Sequence, residues 1–152
     1  MELTIKGKKW FGPSVYEVYD ENKNILYSLK RPLVAFGDKY KIFDYNNMEV
    51  GEIKQSMSRR GKYNFLSKGQ IIESLFEKIW IVNPEYELKN MKWSIKGNFS
   101  NLEYVVYDSD SNVVMDVSID LFSCKVNIYD TNNILLCIMI ALSLRLISIK
   151  NN

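Results

Sequence analysis

From Ile134 to Leu142 the chain carries no polar side chain, and from there to Ile149 the apolar run is broken only by Ser143, Arg145 and Ser148. A helix with this pattern has no wet face, so it must be buried on all sides rather than along one stripe. At about 1.5 Å of rise per residue the run is roughly 25 Å long. A bilayer span needs about 20 apolar residues and accepts a central arginine only at a cost of about 2.5–3.5 kcal/mol. Ser143 and Arg145 therefore favour a core helix over a membrane anchor. An extended, wholly apolar last strand is the other alternative, and the length of the run favours the helix. The expected helix covers about 132–149, with Thr131, Asn132 or Asn133 as its N-cap.

The preceding chain must supply a wall, and its pattern is that of strands. One short phrase recurs four times: Tyr16-Glu-Val-Tyr-Asp20, Tyr40-Lys-Ile-Phe-Asp44, Tyr104-Val-Val-Tyr-Asp108 and Val126-Asn-Ile-Tyr-Asp130. Polar turn-formers follow each Asp, and apolar residues resume at Ile25, Met48, Val113 and Ile134. The first three copies predict hairpins, whereas the fourth delivers the chain to the helix. Alternation puts Tyr16, Val18, Tyr40, Ile42, Tyr104, Val106, Val126 and Ile128 on one dry face, joined by Val113, Met115, Val117 and Ile119 of a return strand. The other face carries Tyr19, Phe43, Tyr107 and Tyr129 among charged residues. Further strands are expected over residues 62–66, 71–76, 79–82 and 91–95. Short, closely spaced strands and an all-apolar helix together predict a mainly β protein, a closed antiparallel barrel enclosing its C-terminal helix.

Composition narrows the chemistry. The 152 residues read as one domain, 1–152, with strands over about 1–130 and one core. A net charge of +2 gives no global field of the kind that attracts nucleic acid. The N-terminus, Met-Glu-Leu-Thr-Ile-Lys, lacks the basic and apolar regions of a signal peptide, so a cytoplasmic protein is expected. Cys124 and Cys137 then read as reduced core residues, and the Asn98-Phe-Ser100 sequon as incidental. There is no histidine, which removes the commonest general base, the Ser-His and Cys-His nucleophile pairs and imidazole metal sites. Asp108-x-Asp110-x-Asn112 begins like a calcium loop, but Val113 and Ile119 stand where the loop needs Gly and Glu. It reads instead as an Asp-initiated turn, as do Asp20, Asp44 and Asp130, while Glu85 and Glu87 read as solvated. No catalytic residue, metal or cofactor is assigned.

The most suggestive polar stretch is Ser58-Arg-Arg-Gly-Lys62, in which Arg59, Arg60 and Lys62 flank a glycine. Arginine forks grip phosphates bidentately, so these three residues are the candidate site for an anionic headgroup. A solvated hairpin turn is the plainer reading. Lys6, Lys8 and Lys9 beside Trp10 and Phe11, and Lys89, Lys92 and Lys96 near Trp93, form further basic-aromatic clusters. The first of these reads equally well as an opening strand whose exposed lysines discourage edge pairing.

Three phrases carry a family resemblance: Phe36-Gly-Asp-Lys-Tyr-Lys-Ile-Phe-Asp44, Glu49-Val-Gly-Glu-Ile-Lys-Gln55, and Trp93-Ser-Ile-Lys-Gly-Asn-Phe99 running on to Tyr104-Val-Val-Tyr-Asp108. In order and spacing they resemble the bacterial LURP-one-related proteins of the Tubby C-terminal-like superfamily. The resemblance implies about twelve strands around a hydrophobic C-terminal helix. It also implies kinship with phospholipid scramblases and the phosphoinositide-binding Tubby domain. Two departures stand out: Leu121-Phe-Ser-Cys-Lys-Val126 lacks the Gly-Asp turn expected before its strand, and Arg145 stands where the family's helix is more usually acidic or apolar. By this analogy the expected role is non-enzymatic binding of an anionic phospholipid or membrane surface, at the inner face of the membrane. The alternative is a protein-interaction or scaffold module using Tyr19, Phe43, Tyr107 and Tyr129.

Overall fold

The computed structural model describes residues 1–8, 15–32, 37–59, 61–78, 83–98 and 102–151. The strand expected over 79–82, Lys9, Trp10 and Phe11 of the N-terminal cluster, Phe99 and Ser100 of the sequon, and Arg60 lie outside these residues. Twelve strands form a closed barrel in which each pairs antiparallel with the next in sequence, and the first pairs with the last. They are β1 (Glu2–Gly7), β2 (Val15–Tyr19), β3 (Ile25–Lys30), β4 (Lys39–Asp44), β5 (Glu49–Gln55) and β6 (Lys62–Ser67). The second half is β7 (Gln70–Glu77), β8 (Glu85–Leu88), β9 (Ser94–Asn98), β10 (Glu103–Tyr107), β11 (Val113–Ile119) and β12 (Ser123–Ile128). A 3-10 turn, Thr131–Asn133, leads into helix α1, Ile134–Asn151.

Every residue of α1 from 137 to 148 is buried, which covers more than three turns and therefore every face. The helix is long and apolar enough to cross a bilayer, but its surroundings are the barrel wall. Closing the sheet leaves no edge strand and encloses a core of this helix and the inward side chains of all twelve strands. Cys124 and Cys137 are both free and buried there, and burial pushes each thiol up to about 12.

The repeated phrase has a repeated structure. Asp20, Asp44 and Asp108 each accept, through one carboxylate oxygen, the amides two and four residues on, at 2.9–3.0 Å. Each turn then passes through a left-handed residue: Lys23, Asn47 and Ser111. Asp130 begins the same way, with Oδ1 accepting from Asn132 N at 3.1 Å, but its turn continues into α1. Asp130 thus caps the 3-10 turn formed by Thr131, Asn132 and Asn133, and α1 begins directly after them at Ile134.

A register shift accompanies these phrases and corrects the expected inward set. Val106 faces Met115 while Tyr107 faces Val113, so Val114 is the extra residue of a β-bulge. Val114 consequently turns inward at 2% exposure, and Val113, expected in the core, is 45% exposed. Equivalent shifts between Val18 and Tyr19, Ile42 and Phe43, and Phe65 and Leu66 make Leu26, Val50 and Ile72 the unpaired residues. Another correction concerns the hairpin joining β8 to β9. Buried Glu73 accepts Asn90 N at 2.8 Å and Met91 N at 2.9 Å, which holds those residues in the turn and starts β9 at Ser94 instead of residue 91. Glu85 and Glu87 belong to β8, where Glu87 pairs with Lys78 at 3.6 Å.

Gly97 marks a close approach. It stands opposite Tyr104 on the inner side of β9, and a Cβ there would lie 2.5 Å from the Tyr104 ring and 2.8 Å from Pro84. Gly97→Ala is expected to lower stability in chemical denaturation by about 1–3 kcal/mol, the cost of overpacking a rigid site.

Candidate functional site

The two ends of the barrel differ. Connections from even to odd strands, at one end, are three short Asp-initiated turns, the β6–β7 and β8–β9 turns, and the turn into α1. Connections from odd to even strands, at the other, include the segment carrying Arg59 and Lys62, and α1 ends there. At this second end the inward residue second in each even strand is a tyrosine: Tyr16, Tyr40, Tyr63, Tyr86 and Tyr104 of β2, β4, β6, β8 and β10. In β12 the place falls to Cys124. Tyr16 and Tyr40 meet edge to face at 5.5 Å, and Tyr86 lies 6.4 Å from Tyr104. Tyr63 donates to Asp38 Oδ2 at 2.8 Å, while the Tyr104 hydroxyl lies 3.2 Å from Ser148 Oγ on the helix. The girdle gives an apolar core a polar lid, with rings inward and hydroxyls toward the rim. Burial pushes all five phenols up, Tyr40 to about 12.

Arg145 occupies the gap that Cys124 leaves. Its guanidinium is buried beside the Tyr16 ring, 6.0 Å from the centroid. It donates to Asp120 O at 2.7 Å, Leu121 O at 3.0 Å and Ser123 O at 3.3 Å. The two segments singled out in the sequence, the last hairpin and Arg145, therefore meet in one interaction: the arginine of the helix holds the turn of that hairpin. In that turn Asp120 Oδ1 accepts from Phe122 N at 2.9 Å and Ser123 N at 2.6 Å. Its tip is the most exposed pair of adjacent apolar side chains among the described residues, Leu121 at 79% and Phe122 at 77%.

Arg59 and Lys62 meet around one ring. The Arg59 guanidinium lies 5.3 Å from the Phe76 centroid and reaches Glu77 O at 3.5 Å, and Lys62 is the cross-strand neighbour of Phe76. Gly61 between them is left-handed, and a Cβ there would lie 2.6 Å from the Glu77 carboxylate. The expected third member, Arg60, lies outside the described residues. Cations crowd this rim: Lys30, Arg31, Lys54, Arg59 and Lys62 are joined by Lys39 and Lys78, against the acids Asp38, Glu77 and Glu85 on the same arc and Glu103 and Asp120 further round. Lys39 and Lys78 are tied to Glu52 and Glu87. The opposite end is acidic, with Asp20, Glu21, Asp44, Asp108, Asp110 and Asp130 in its turns against Lys23, Lys68, Lys89 and Lys92. A near-neutral chain is thus charged along its barrel axis.

The aromatics expected to form a partner surface are dispersed. Tyr19, Phe43, Tyr107 and Tyr129 belong to or follow β2, β4, β10 and β12, separated by intervening strands. Lys30 covers Phe43 at 5.1 Å, Lys96 lies 5.8 Å from Tyr107, and Tyr19 donates to Glu17 at 2.6 Å. At the acidic end, two shallow depressions of about 350 and 310 Å³ flank the first turn of α1, lined on one side by Ile72 and Met91 and on the other by Leu26 and Val50. Among the described residues no three cysteines or acidic residues converge as a metal site.

A family model, LURP-one-related, matches residues 1–144. The chain belongs to the LURP-one-related family. An X-ray structure of an Arabidopsis thaliana protein shares the fold of this family member, with a TM-score of 0.61 and 17% identity over 93% of this chain and 90% of the plant chain. No curated protein sequence matches the chain.

Two outcomes test the girdle. The five tyrosines hold their protons more tightly folded than unfolded, where the ordinary value is 10.0. Their contribution is complete below about pH 10 and lost as pH rises toward the folded values, so chemical-denaturation midpoints should fall steadily above about pH 10. Arg145→Met removes the three part-buried hydrogen bonds that tie α1 to the β11–β12 turn and should cost about 1–3 kcal/mol in the same assay.

Proposed function

We propose that this LURP-one-related protein is a non-enzymatic binding module that takes an anionic phospholipid surface as its ligand, at the girdle end of the barrel. The observation that carries this reading is the separation of charge, which puts cations on the same rim as the exposed Leu121 and Phe122. An end-on cationic rim meets a flat anionic surface with many weak contacts at once, each worth about 1 kcal/mol near the membrane. Arg59 and Lys62, framing Phe76, are the best-defined cationic pair there, with Arg60 between them in sequence. On this reading the protein works in the cytoplasm, peripheral to the inner face of the membrane.

Purified protein should sediment with phosphatidylserine-containing vesicles and not with pure phosphatidylcholine, and the binding should weaken as salt rises. Arg59→Glu with Lys62→Glu should weaken it roughly 30-fold or more at unchanged melting temperature, at about 1 kcal/mol for each cation lost. Equal binding to neutral vesicles, or none to either kind, would overturn the proposal.

A further inference from the structure

Among the described residues of the girdle-end connections, the turn between β11 and β12 has unusual chemistry. Three turns at the opposite end bind their amides through an aspartate in the same way; two of them display only polar residues, and the third adds the single ring of Tyr45 to its asparagines. The β11–β12 turn displays Leu121 and Phe122. Three of its four carbonyls are held as well. Asp120 O, Leu121 O and Ser123 O all accept from Arg145, Ser123 O accepts in addition from Asp120 N at 3.0 Å, and the amides of Phe122 and Ser123 are bound by Asp120 Oδ1.

An exposed turn in water has no use for this arrangement, because water hydrates carbonyls at no structural cost. Hydrocarbon does not, and backbone entering a bilayer must have its polar groups satisfied from within the protein. Here the core helix spends a buried guanidinium on doing so. Ile149, half exposed, follows Arg145 by four residues and therefore lies one turn further out on the same helix face, beside the tip. On the other side, Lys6 of β1 stands exposed opposite Ser123, and Lys8 follows it in sequence, paired with Glu17 at 3.1 Å. Apolar residues at the apex with lysines behind them match the layering of a membrane, hydrocarbon first and anionic headgroups above.

We infer that the β11–β12 hairpin is a membrane wedge: Leu121 and Phe122 insert into the lipid bilayer, and Arg145 is the positioning residue that keeps the carbonyls of Asp120, Leu121 and Ser123 satisfied beneath it. The inference rests on the phospholipid-surface reading above and adds the inserting residues to it.

The two native thiols are buried and pushed up to about 12, so a thiol-reactive, polarity-sensitive fluorophore will label Phe122→Cys alone. On adding phosphatidylserine-containing vesicles, its emission should shift to the blue and be quenched by brominated acyl chains. The same label at Asn22→Cys, in the acidic-end turn, should do neither. Leu121→Ser with Phe122→Ser should weaken vesicle binding at least about tenfold without changing the melting temperature. If wild type binds these vesicles while the label at position 122 stays in water, or the double variant binds as wild type does, the wedge is overturned and the electrostatic reading stands. If wild type binds no vesicle, both fall. Concentration-dependent dimerisation abolished by the double variant would assign the tip to a second copy of this chain and also overturn the wedge.

Discussion

The rest of the structure depends on one constraint, that α1 has no face fit for water. A helix buried on one stripe is satisfied by a sheet on one side, but a helix apolar all round has to be encircled. Encirclement by strands means closure, and closure means that β1 and β12, the ends of the strand sequence, must find each other. The barrel is therefore as much a consequence of the helix as its container. Because the wall has two open ends, the helix must also leave its surroundings twice. The polar chemistry of the protein gathers at those ends.

At the first end the transition is made by the aspartate that closes hairpins elsewhere in the chain. Asp130 binds the amide of Asn132, and the same grammar that turns a strand back three times starts the helix the fourth time. At the second end the helix presents Arg145 and Ser148 to a ring of phenols. A guanidinium out of water costs several kcal/mol unless its donors are used. Here the two terminal nitrogens are used on backbone carbonyls while the buried Nε has no partner, so the cation is hydrogen-bonded without a buried carboxylate beside it. The arrangement binds the last strand pair to the helix that fills the barrel, and it leaves the hairpin tip free to be apolar.

The proposed function rests on the difference between the ends. Few residues in the wall bear on a ligand, since its inner face is core and its outer aromatics are spread over alternate strands and half covered. The rims carry the distinctive surfaces: acidic turns at one, cations and exposed Leu121 and Phe122 at the other. LURP-one-related membership fits a binding module, and a fold shared at 17% identity with a plant protein says nothing of the ligand. The reading as a membrane-docking module therefore stands on the rim itself.

Much of the architecture was legible in the sequence because it follows from periodicity. The apolar run of α1, the alternation in the repeated strands and the aspartate turns are local patterns, and all three recur in the structure. Residue counts and a nearly zero charge excluded a histidine-based site and a global basic field. Other features lay beyond local pattern. A bulge depends on which strand sits opposite, so Val113 and Val114 exchanged places relative to simple alternation. Strand β8 and the start of β9 depend on Glu73, brought to that hairpin from the neighbouring strand. Tyr63 and Tyr86 do not share the repeated phrase, so only closure of the barrel set them in one girdle with Tyr16, Tyr40 and Tyr104. The charge polarity was hidden for the same reason, because residues far apart in sequence reach the same rim whenever an even number of strands separates them. The sequence determined that a helix must be enclosed; the tertiary structure decided which residues would share each end, because only closure brings distant turns together in space.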